Sequence, residues 1–249
     1  MVVGLFLSLY WWWKMGRDEH FEEIELFDGY FLSLIIFLIF GRLGYALLNP
    51  ESITSVYRML AILSFPGINV LSGLFGLYVF IIAFARSKSW DTWKVLDFSV
   101  VSLSLAIVFG GLGGLLNGST PGKQVSWGLV YPGDDVARLP IDIWTIIWAM
   151  ITFAVVSKVR KNFRFYEWYK GEASVAQDGL AALIFLLSGG IYFMTYGWMV
   201  ESAQMIWVFP VHFVMGVLTI LLSLYEIRRR IGRRNIGLWG KLVSVIRRK

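Results

Sequence analysis

Seven apolar runs divide this chain of 249 residues, and they constrain its fold more than any other feature. They cover approximately residues 2–13, 30–48, 67–85, 96–116, 140–157, 179–200 and 206–225. Several of them come close to the roughly 20 residues that an α-helix needs to cross a bilayer. In lipid, backbone N–H and C=O groups must bond within the protein, and a helix satisfies them within its own segment. The pattern therefore predicts an all-α, polytopic integral membrane protein with seven transmembrane helices.

Basic residues are concentrated in every second connection between the apolar runs, and this distribution predicts the orientation. The connections after runs one, three and five and the carboxyl-terminal tail carry most Lys and Arg, whereas the opposite connections carry only Arg58, Lys123 and Arg138. Because cations mark the cytoplasmic face, the amino terminus is expected outside and the carboxyl terminus in the cytoplasm. Residues 1–227 would form the seven-span membrane domain and residues 228–249 a basic cytoplasmic tail. That tail is either an amphipathic helix on the inner leaflet or a plain stop-transfer segment.

Composition excludes several classes of function. Charged residues make up only 16% of the chain, against about a quarter in soluble proteins. The absence of cysteine excludes disulfides, thiolate catalysis and Cys-ligated metals, and two histidines make a multi-His metal site improbable. We expect no metal and no cofactor. The net charge of +6 resides in the connections and the tail, so the expected partner is the lipid bilayer and not nucleic acid.

Arg42 lies inside the second apolar run, where a charge is costly. An arginine at membrane depth costs about 2.5–3.5 kcal/mol or more. Such a residue is usually either part of a functional site or a structural residue that pairs with a carboxylate or with carbonyls at a helix end. The residue alone leaves both readings open.

Other polar residues gather toward the outer leaflet in the predicted topology. The candidates, apart from Arg42, are Asn117, Lys123, Arg138, Asp142 and His212. A cationic site with an amide group, open to the outer leaflet, suits the headgroup of an anionic phospholipid, because arginine pairs well with phosphate.

Glycines recur every four residues near the end of the fourth run, in the segment GGLGGLLNG. Gly110, Gly114 and Gly118 leave one face of a predicted helix almost without side chains. This face predicts either close packing against another span or backbone amides exposed to a phosphate near a helix end. The two readings are compatible.

Several short strings occur in an order and spacing that resemble the prolipoprotein diacylglyceryl transferase family. They are Gly41-Arg42-Leu43-Gly44-Tyr45, Phe65-Pro66-Gly67, Ser72-Gly73-Leu74-Phe75-Gly76, Asp97-Phe98, Asn117-Gly118, Trp127-Gly128-Leu129-Val130-Tyr131-Pro132-Gly133 and Arg138-Leu139-Pro140. The resemblance covers nearly the whole chain, from about residue 4 to residue 225.

The resemblance implies a multi-pass enzyme of the bacterial inner membrane. Members move the diacylglyceryl group of phosphatidylglycerol onto the lipobox cysteine of a prolipoprotein, and glycerol phosphate leaves. The nucleophile belongs to the substrate, and no cofactor is implied. The expected partners are phosphatidylglycerol and the lipobox segments of prolipoproteins. The residues expected to bind the headgroup are Arg42, Asn117, Gly118, Lys123, Arg138 and Asp142.

The chain departs from the family at positions that carry ionisable side chains. The family's histidine is Leu71, one arginine is Gly111, and a further arginine and glutamate are Phe193 and Gly197. The catalytic residues are therefore unknown. His212 is a weak candidate for the base that accepts the thiol proton, and its other interpretation is an interfacial histidine bonded to a neighbour. The alternative function is a catalytically inactive relative that binds phospholipid or lipoprotein precursors.

Overall fold

A computed structural model describes residues 2–52, 55–60, 64, 67–118, 120, 122–131, 134–170, 178–201 and 205–246. The elements, in chain order, are α1 (Val2–Asp18), α2 (Glu23–Leu48), a 3-10 turn (Pro50–Ser52), α3 (Val56–Leu60), α4 (Val70–Ser87), α5 (Thr92–Asn117), β1 (Gln124–Leu129), α6 (Ile141–Lys170), α7 (Leu180–Met199), β2 (Met205–Ile206), β3 (Phe209–Pro210) and α8 (Val211–Ile246). The fold is helical apart from these short strands. Phe65, Pro66, Pro132 and Gly133 of the strings quoted above lie outside the described residues.

Six helices in the described ranges are long and apolar enough to cross a membrane. Their candidate spans are Glu23–Leu48, Val70–Ser87, Thr92–Asn117, Ile141–Lys161, Leu180–Met199 and Val211–Arg229. The prediction of a helical, polytopic membrane protein is thus confirmed. The first apolar run also forms a helix, α1, but its 17 residues extend only about 25 Å at 1.5 Å per residue. A seventh span stays a prediction.

The helices follow the apolar runs with one correction: residues 206–210, at the start of the seventh run, belong to β2, β3 and the turn between them, and α8 begins at Val211. Two helices also run past their apolar segments into polar residues. α6 continues past the fifth run to Lys170, and α8 continues past the seventh run to Ile246 without a break. Lys and Arg are good helix formers, so a change from apolar to basic composition does not end a helix. The basic tail is therefore helical as far as Ile246. Its position on the membrane surface stays a prediction.

The chain divides into two compact units, of which one comprises residues 9–98. Trp12 anchors the core of this unit: its Nε1 donates to the carbonyl of Leu26 at 2.8 Å, and its ring meets Phe98 edge-on at 4.7 Å. α2 packs against α4 through glycines, because a Cβ at Gly44 would collide with Ser72 and one at Gly76 with Phe40. Small residues at such crossings let membrane helices approach closely.

The other unit comprises residues 1–8 and 99–249, and α6, α7 and α8 pack side by side within it. Side chains satisfy carbonyls across these helices. Trp148 Nε1 donates to the carbonyl of Ser188 at 3.1 Å, and the hydroxyl of Ser223 donates to the carbonyl of Leu183 at 2.8 Å. The Trp148 ring also stacks on Tyr192 with centroids 4.5 Å apart. Bonds of this kind hold helices together where lipid offers no partner.

Gly190 provides a test of the α7–α8 crossing. A Cβ at this position would lie 2.6 Å from Ile220 Cγ1 and 2.8 Å from the carbonyl oxygen of Gly216, and the latter is backbone that cannot yield. We expect Gly190→Ala to destabilise the protein by about 1–3 kcal/mol through overpacking. Thermal unfolding of the purified protein in detergent measures the effect.

Gly110→Ala is the matched control, because a Cβ there would meet none of the described atoms within 4 Å. Because alanine loses less backbone entropy than glycine when the chain folds, this variant should be as stable as the parent or up to about 1 kcal/mol more stable. Equal unfolding temperatures for the two variants would contradict the close crossing.

Candidate functional site

The connection between α5 and α6 is ordered by backbone pairing. Val125 donates its N–H to the carbonyl of Ala137 at 3.0 Å, and Leu139 donates to the carbonyl of Lys123 at 2.9 Å. Lys123 in turn donates its own N–H to the carbonyl of Met199, the last residue of α7, at 2.9 Å. These bonds attach both arms of the connection to each other and to the end of α7. Lys123 and Arg138, which the sequence analysis assigned to this connection, are thereby held by backbone hydrogen bonds.

Arg138 is paired with two carboxylates in this region. Its Nε lies 2.7 Å from Oδ2 of Asp134, and its Nη1 donates to Glu201, the second residue after α7. The hydrogen bonds to Asp134 and Glu201 raise the pKa of Arg138 further above its ordinary value, so the guanidinium stays charged. Both acids compensate this charge. The predicted contact between Arg138 and a headgroup phosphate is not tested by this arrangement and stays a prediction.

Lys123 and Asn117 are exposed, in contrast to Arg138. Lys123 forms no ion pair with any residue that the structure describes. Asn117 is the last residue of α5, and Gly118 ends the helix in the left-handed conformation with a φ of 60°. Glycine is favoured at this position because it adopts a positive φ without steric cost.

Asp142 is a buried carboxylate in the first turn of α6, with 6% of the residue exposed. One carboxylate oxygen accepts from the hydroxyl of Thr120, whereas Oδ2 has no hydrogen-bond partner among the described residues. The carboxylate lies against Gly114 of α5, where a Cβ would be 2.6 Å from Oδ1. A larger residue at position 114 would displace it.

Tyr131 follows β1 and is also buried, with 7% of the residue exposed. Its ring packs on Gly118, and within the described part of the chain its hydroxyl has no partner. Burial raises the pKa of Tyr131, and the negative charge of Asp142 adds to the effect. The phenol is therefore neutral at physiological pH and available as a hydrogen-bond donor.

The glycine-rich segment thus acts through packing. Gly111 packs on Ile146 of α6, while Gly114 and Gly118 receive Asp142 and Tyr131; Gly110 has no described atom within 4 Å of a built Cβ. The second reading, exposed backbone amides, meets a physical difficulty here. α5 ends at this point, and the end of a helix exposes carbonyl acceptors rather than amide donors.

His212 lies in the first turn of α8 against α7. Its ring meets that of Tyr196 edge-on at 5.0 Å, and a Cβ at Gly197 would lie 3.2 Å from its Cβ. Its Nδ1 is buried and has no hydrogen-bond partner among the residues described. Both interpretations of His212, a base and an interfacial histidine, stay predictions.

Arg42 belongs to the other unit, and its guanidinium binds three backbone carbonyls. Nε donates to Met59 at 3.0 Å, Nη1 donates to Gly67 at 2.8 Å, and Nη2 donates to Arg58. Only 3% of Arg42 is exposed, and its guanidinium carbon lies 5.6 Å from the ring centroid of Tyr45. This is the pairing with helix-end carbonyls that the sequence left open, because Arg58 and Met59 lie in the last turn of α3. Its contact with a headgroup stays a prediction.

The structure therefore places Asn117, Gly118, Lys123, Arg138, Asp142 and His212 in one unit and Arg42 in the other. Sequence reasoning missed the buried partners around Asp142. Tyr131 appeared only within a family string, and Thr120 was not singled out. Tyr131 lies in a polar connection, where the sequence does not indicate that a tyrosine is buried. Its burial arises from packing against a glycine, which only the folded structure shows.

Together, the helices and the buried polar groups define a polytopic helical membrane protein with a polar site at the end of α5. Residues 1–228 match the family model described as prolipoprotein diacylglyceryl transferase. The chain belongs to the prolipoprotein diacylglyceryl transferase family.

Several curated relatives named phosphatidylglycerol–prolipoprotein diacylglyceryl transferase are similar to the chain. The protein of Bordetella parapertussis is 27% identical over 190 residues, which cover 71% of this chain and 65% of the relative. That of Aliarcobacter butzleri is 28% identical over 167 residues, 61% of each chain. That of Campylobacter jejuni subsp. jejuni is 26% identical over 197 residues, 74% of this chain and 69% of the relative. The match with the Bordetella relative thus spans just under two thirds of its length.

Replacement of Arg42 distinguishes a structural role from headgroup binding. We expect Arg42→Ala and Arg42→Lys both to lower the unfolding temperature, because each leaves buried carbonyls without a donor at a cost of about 1–3 kcal/mol per group. Unfolding temperature and phosphatidylglycerol retention should be measured on the same preparations. Arg86→Ala, at an exposed position near the end of α4, is the matched control. Weaker lipid retention with unchanged stability would instead establish Arg42 as a headgroup ligand.

Proposed function

We propose that the protein transfers the diacylglyceryl group of phosphatidylglycerol to the lipobox cysteine thiol of a prolipoprotein. The observation that carries the proposal is the family match over residues 1–228, on a chain whose helices suit a bilayer. The relatives' names state the same donor and acceptor. Phosphatidylglycerol, the lipobox segment and the surrounding bilayer are accordingly the proposed partners.

The chemistry is a displacement at carbon. The thiol sulfur attacks the glycerol carbon of the diacylglyceryl group, a C–S bond forms, and the C–O bond to the phosphate breaks. Glycerol phosphate leaves with the bonding electrons, and the thiol proton passes to a base. The enzyme must bind the departing phosphate and position the proton acceptor. A chain without cysteine can perform this role, since the substrate supplies the nucleophile.

We place Lys123 on the phosphate, because its ammonium is exposed and unpaired among the described residues. Asn117, Gly118 and Arg138 border the same connection, and Arg138 can exchange a carboxylate partner for phosphate. Arg42, in the other unit, donates three of its five N–H groups to carbonyls of described residues, and its contact with a headgroup stays a prediction. His212 remains the candidate for the proton acceptor, because its Nδ1 is buried and has no hydrogen-bond partner among the described residues.

The proposed setting is the bacterial inner membrane, with the site at its outer leaflet. In this arrangement α1 crosses the membrane in addition to the six longer helices. The amino terminus lies outside, and residues 228–249 form the cytoplasmic tail. The distribution of Lys and Arg among the connections supports this orientation. α1 is short for a span, so the Trp and Lys residues at its end would lie at the interface.

A catalytically inactive, lipid-binding relative is the second candidate. Leu71, Gly111, Phe193 and Gly197 carry no ionisable group at positions where the family has them. The charge of Arg138 is compensated by Asp134 and Glu201, which further reduces the positive charge available to a leaving phosphate. Both features favour retention of the lipid without transfer.

The deciding experiment incubates the purified chain with phosphatidylglycerol and a lipobox peptide. Mass spectrometry should show the peptide carrying a diacylglyceryl group, and a peptide with serine in place of cysteine should remain unmodified. Lys123→Ala should slow the transfer at least about tenfold, because a charge-assisted hydrogen bond to the leaving phosphate is lost. Arg86→Ala should transfer at the parent rate.

Absence of the adduct, with phosphatidylglycerol still retained by the folded protein, would contradict the transferase proposal. That result would establish the lipid-binding alternative. Retention can be measured on the same samples by native mass spectrometry, which also reports whether each variant is folded.

A further inference from the structure

Two side chains at the carboxyl-terminal end of α5 are buried with a polar atom unsatisfied. Asp142 and Tyr131 are 6% and 7% exposed, and within the described part of the chain Oδ2 and the phenolic oxygen have no hydrogen-bond partner. Native structures leave few buried polar atoms without a partner, because each costs about 1–3 kcal/mol. Two such atoms that share one helix end point to a ligand.

The two groups pack at the carboxyl-terminal end of α5. Asp142 lies on Gly114 of the helix, and Tyr131 lies on Gly118, the residue that follows the helix. The carboxylate also interacts electrostatically with Tyr131. Thr120 occupies one carboxylate oxygen and leaves the other for a ligand. The arrangement places two unsatisfied polar groups at the same helix end.

The lining favours hydrogen-bond donors. Asp142 contributes a carboxylate acceptor, and the last carbonyls of α5 lack intrahelical partners and form the negative end of the helix dipole. A phosphate placed directly on this lining would be repelled. Hydroxyl groups would be attracted, in the way that an acidic side chain binds the ribose hydroxyl of a dinucleotide.

We propose that Asp142 and Tyr131 bind the vicinal hydroxyls of a polyol headgroup, the terminal glycerol of phosphatidylglycerol. This inference rests on the proposed function and assigns a subsite to the part of the lipid that departs with the phosphate. Asp142 Oδ2 accepts from one hydroxyl, and Tyr131 bonds the other. An ammonium headgroup is less suited, because it offers no acceptor for the Tyr131 O–H and because the cation Lys123 belongs to the same connection.

The test compares lipids that differ only at the headgroup. Phosphatidylpropanol has the same phosphodiester and charge as phosphatidylglycerol but lacks both headgroup hydroxyls, and phosphatidylethanolamine carries an ammonium. Binding of each to the full chain in detergent is measured by native mass spectrometry. We expect the parent protein to prefer phosphatidylglycerol over phosphatidylpropanol by at least about tenfold, because phosphatidylpropanol lacks both hydrogen bonds and one good hydrogen bond already corresponds to about tenfold.

Asp142→Asn and Tyr131→Phe should each reduce that preference several-fold, because each disrupts one of the two proposed hydrogen bonds. Tyr131→Phe does so by the removal of a single oxygen atom. Asp135→Asn is the matched control, because Asp135 is an exposed acid of the same connection; its preference should equal that of the parent. If Asp142→Asn does not fold, Tyr131→Phe decides, and an unchanged preference in that variant overturns the proposal.

The remaining outcomes separate this inference from the proposed function. Equal binding of phosphatidylglycerol and phosphatidylpropanol by the parent, with transfer to the lipobox peptide intact, overturns the polyol subsite and leaves the transferase. Tightest binding of phosphatidylethanolamine, lost in Asp142→Asn, also overturns it and assigns the subsite to an amine. Absence of both phosphatidylglycerol binding and transfer refutes the proposed function, and the inference with it.

Discussion

The need to satisfy every backbone polar group within the protein is the constraint on which this structure depends. Helices meet it along the candidate spans, since lipid offers no hydrogen bonds. Where the chain leaves its helices, other groups take over. Arg42 supplies three donors to the carbonyls of Arg58, Met59 and Gly67, and strand pairing around Lys123 satisfies the connection after α5. Burial of a guanidinium costs free energy, and these hydrogen bonds offset that cost because the three carbonyls would otherwise be unpaired.

Glycine positions decide where polar side chains can enter this framework. Gly114 and Gly118 leave space on α5 that Asp142 and Tyr131 occupy, and Gly197 leaves space on α7 beside His212. The proposed site therefore consists of polar side chains that occupy the space left by glycines at α5 and α7.

Much of the fold was accessible from the sequence, because apolar runs of near-span length leave few alternatives to helices. The continuation of α6 and α8 into basic residues could not be predicted from the apolar runs, because the composition changes there while the helix propensity stays high. For the candidate site, the sequence singled out Asp142, Arg138 and Lys123, and their roles stay predictions. The pairing of Arg138 with Asp134 and Glu201 depends on strand pairing that no local pattern encodes. For Arg42 the sequence allowed two roles, and the structure shows the carbonyl pairing of one of them.

The central claim is that a phospholipid headgroup binds at the carboxyl-terminal end of α5. An experimental structure of the protein in a nanodisc that contains phosphatidylglycerol tests it most directly. The account predicts a headgroup with its phosphate near Lys123 and its glycerol hydroxyls within hydrogen-bond distance of Asp142 and Tyr131. A headgroup bound elsewhere, with Asp142 and Tyr131 paired to each other or to water, would contradict it.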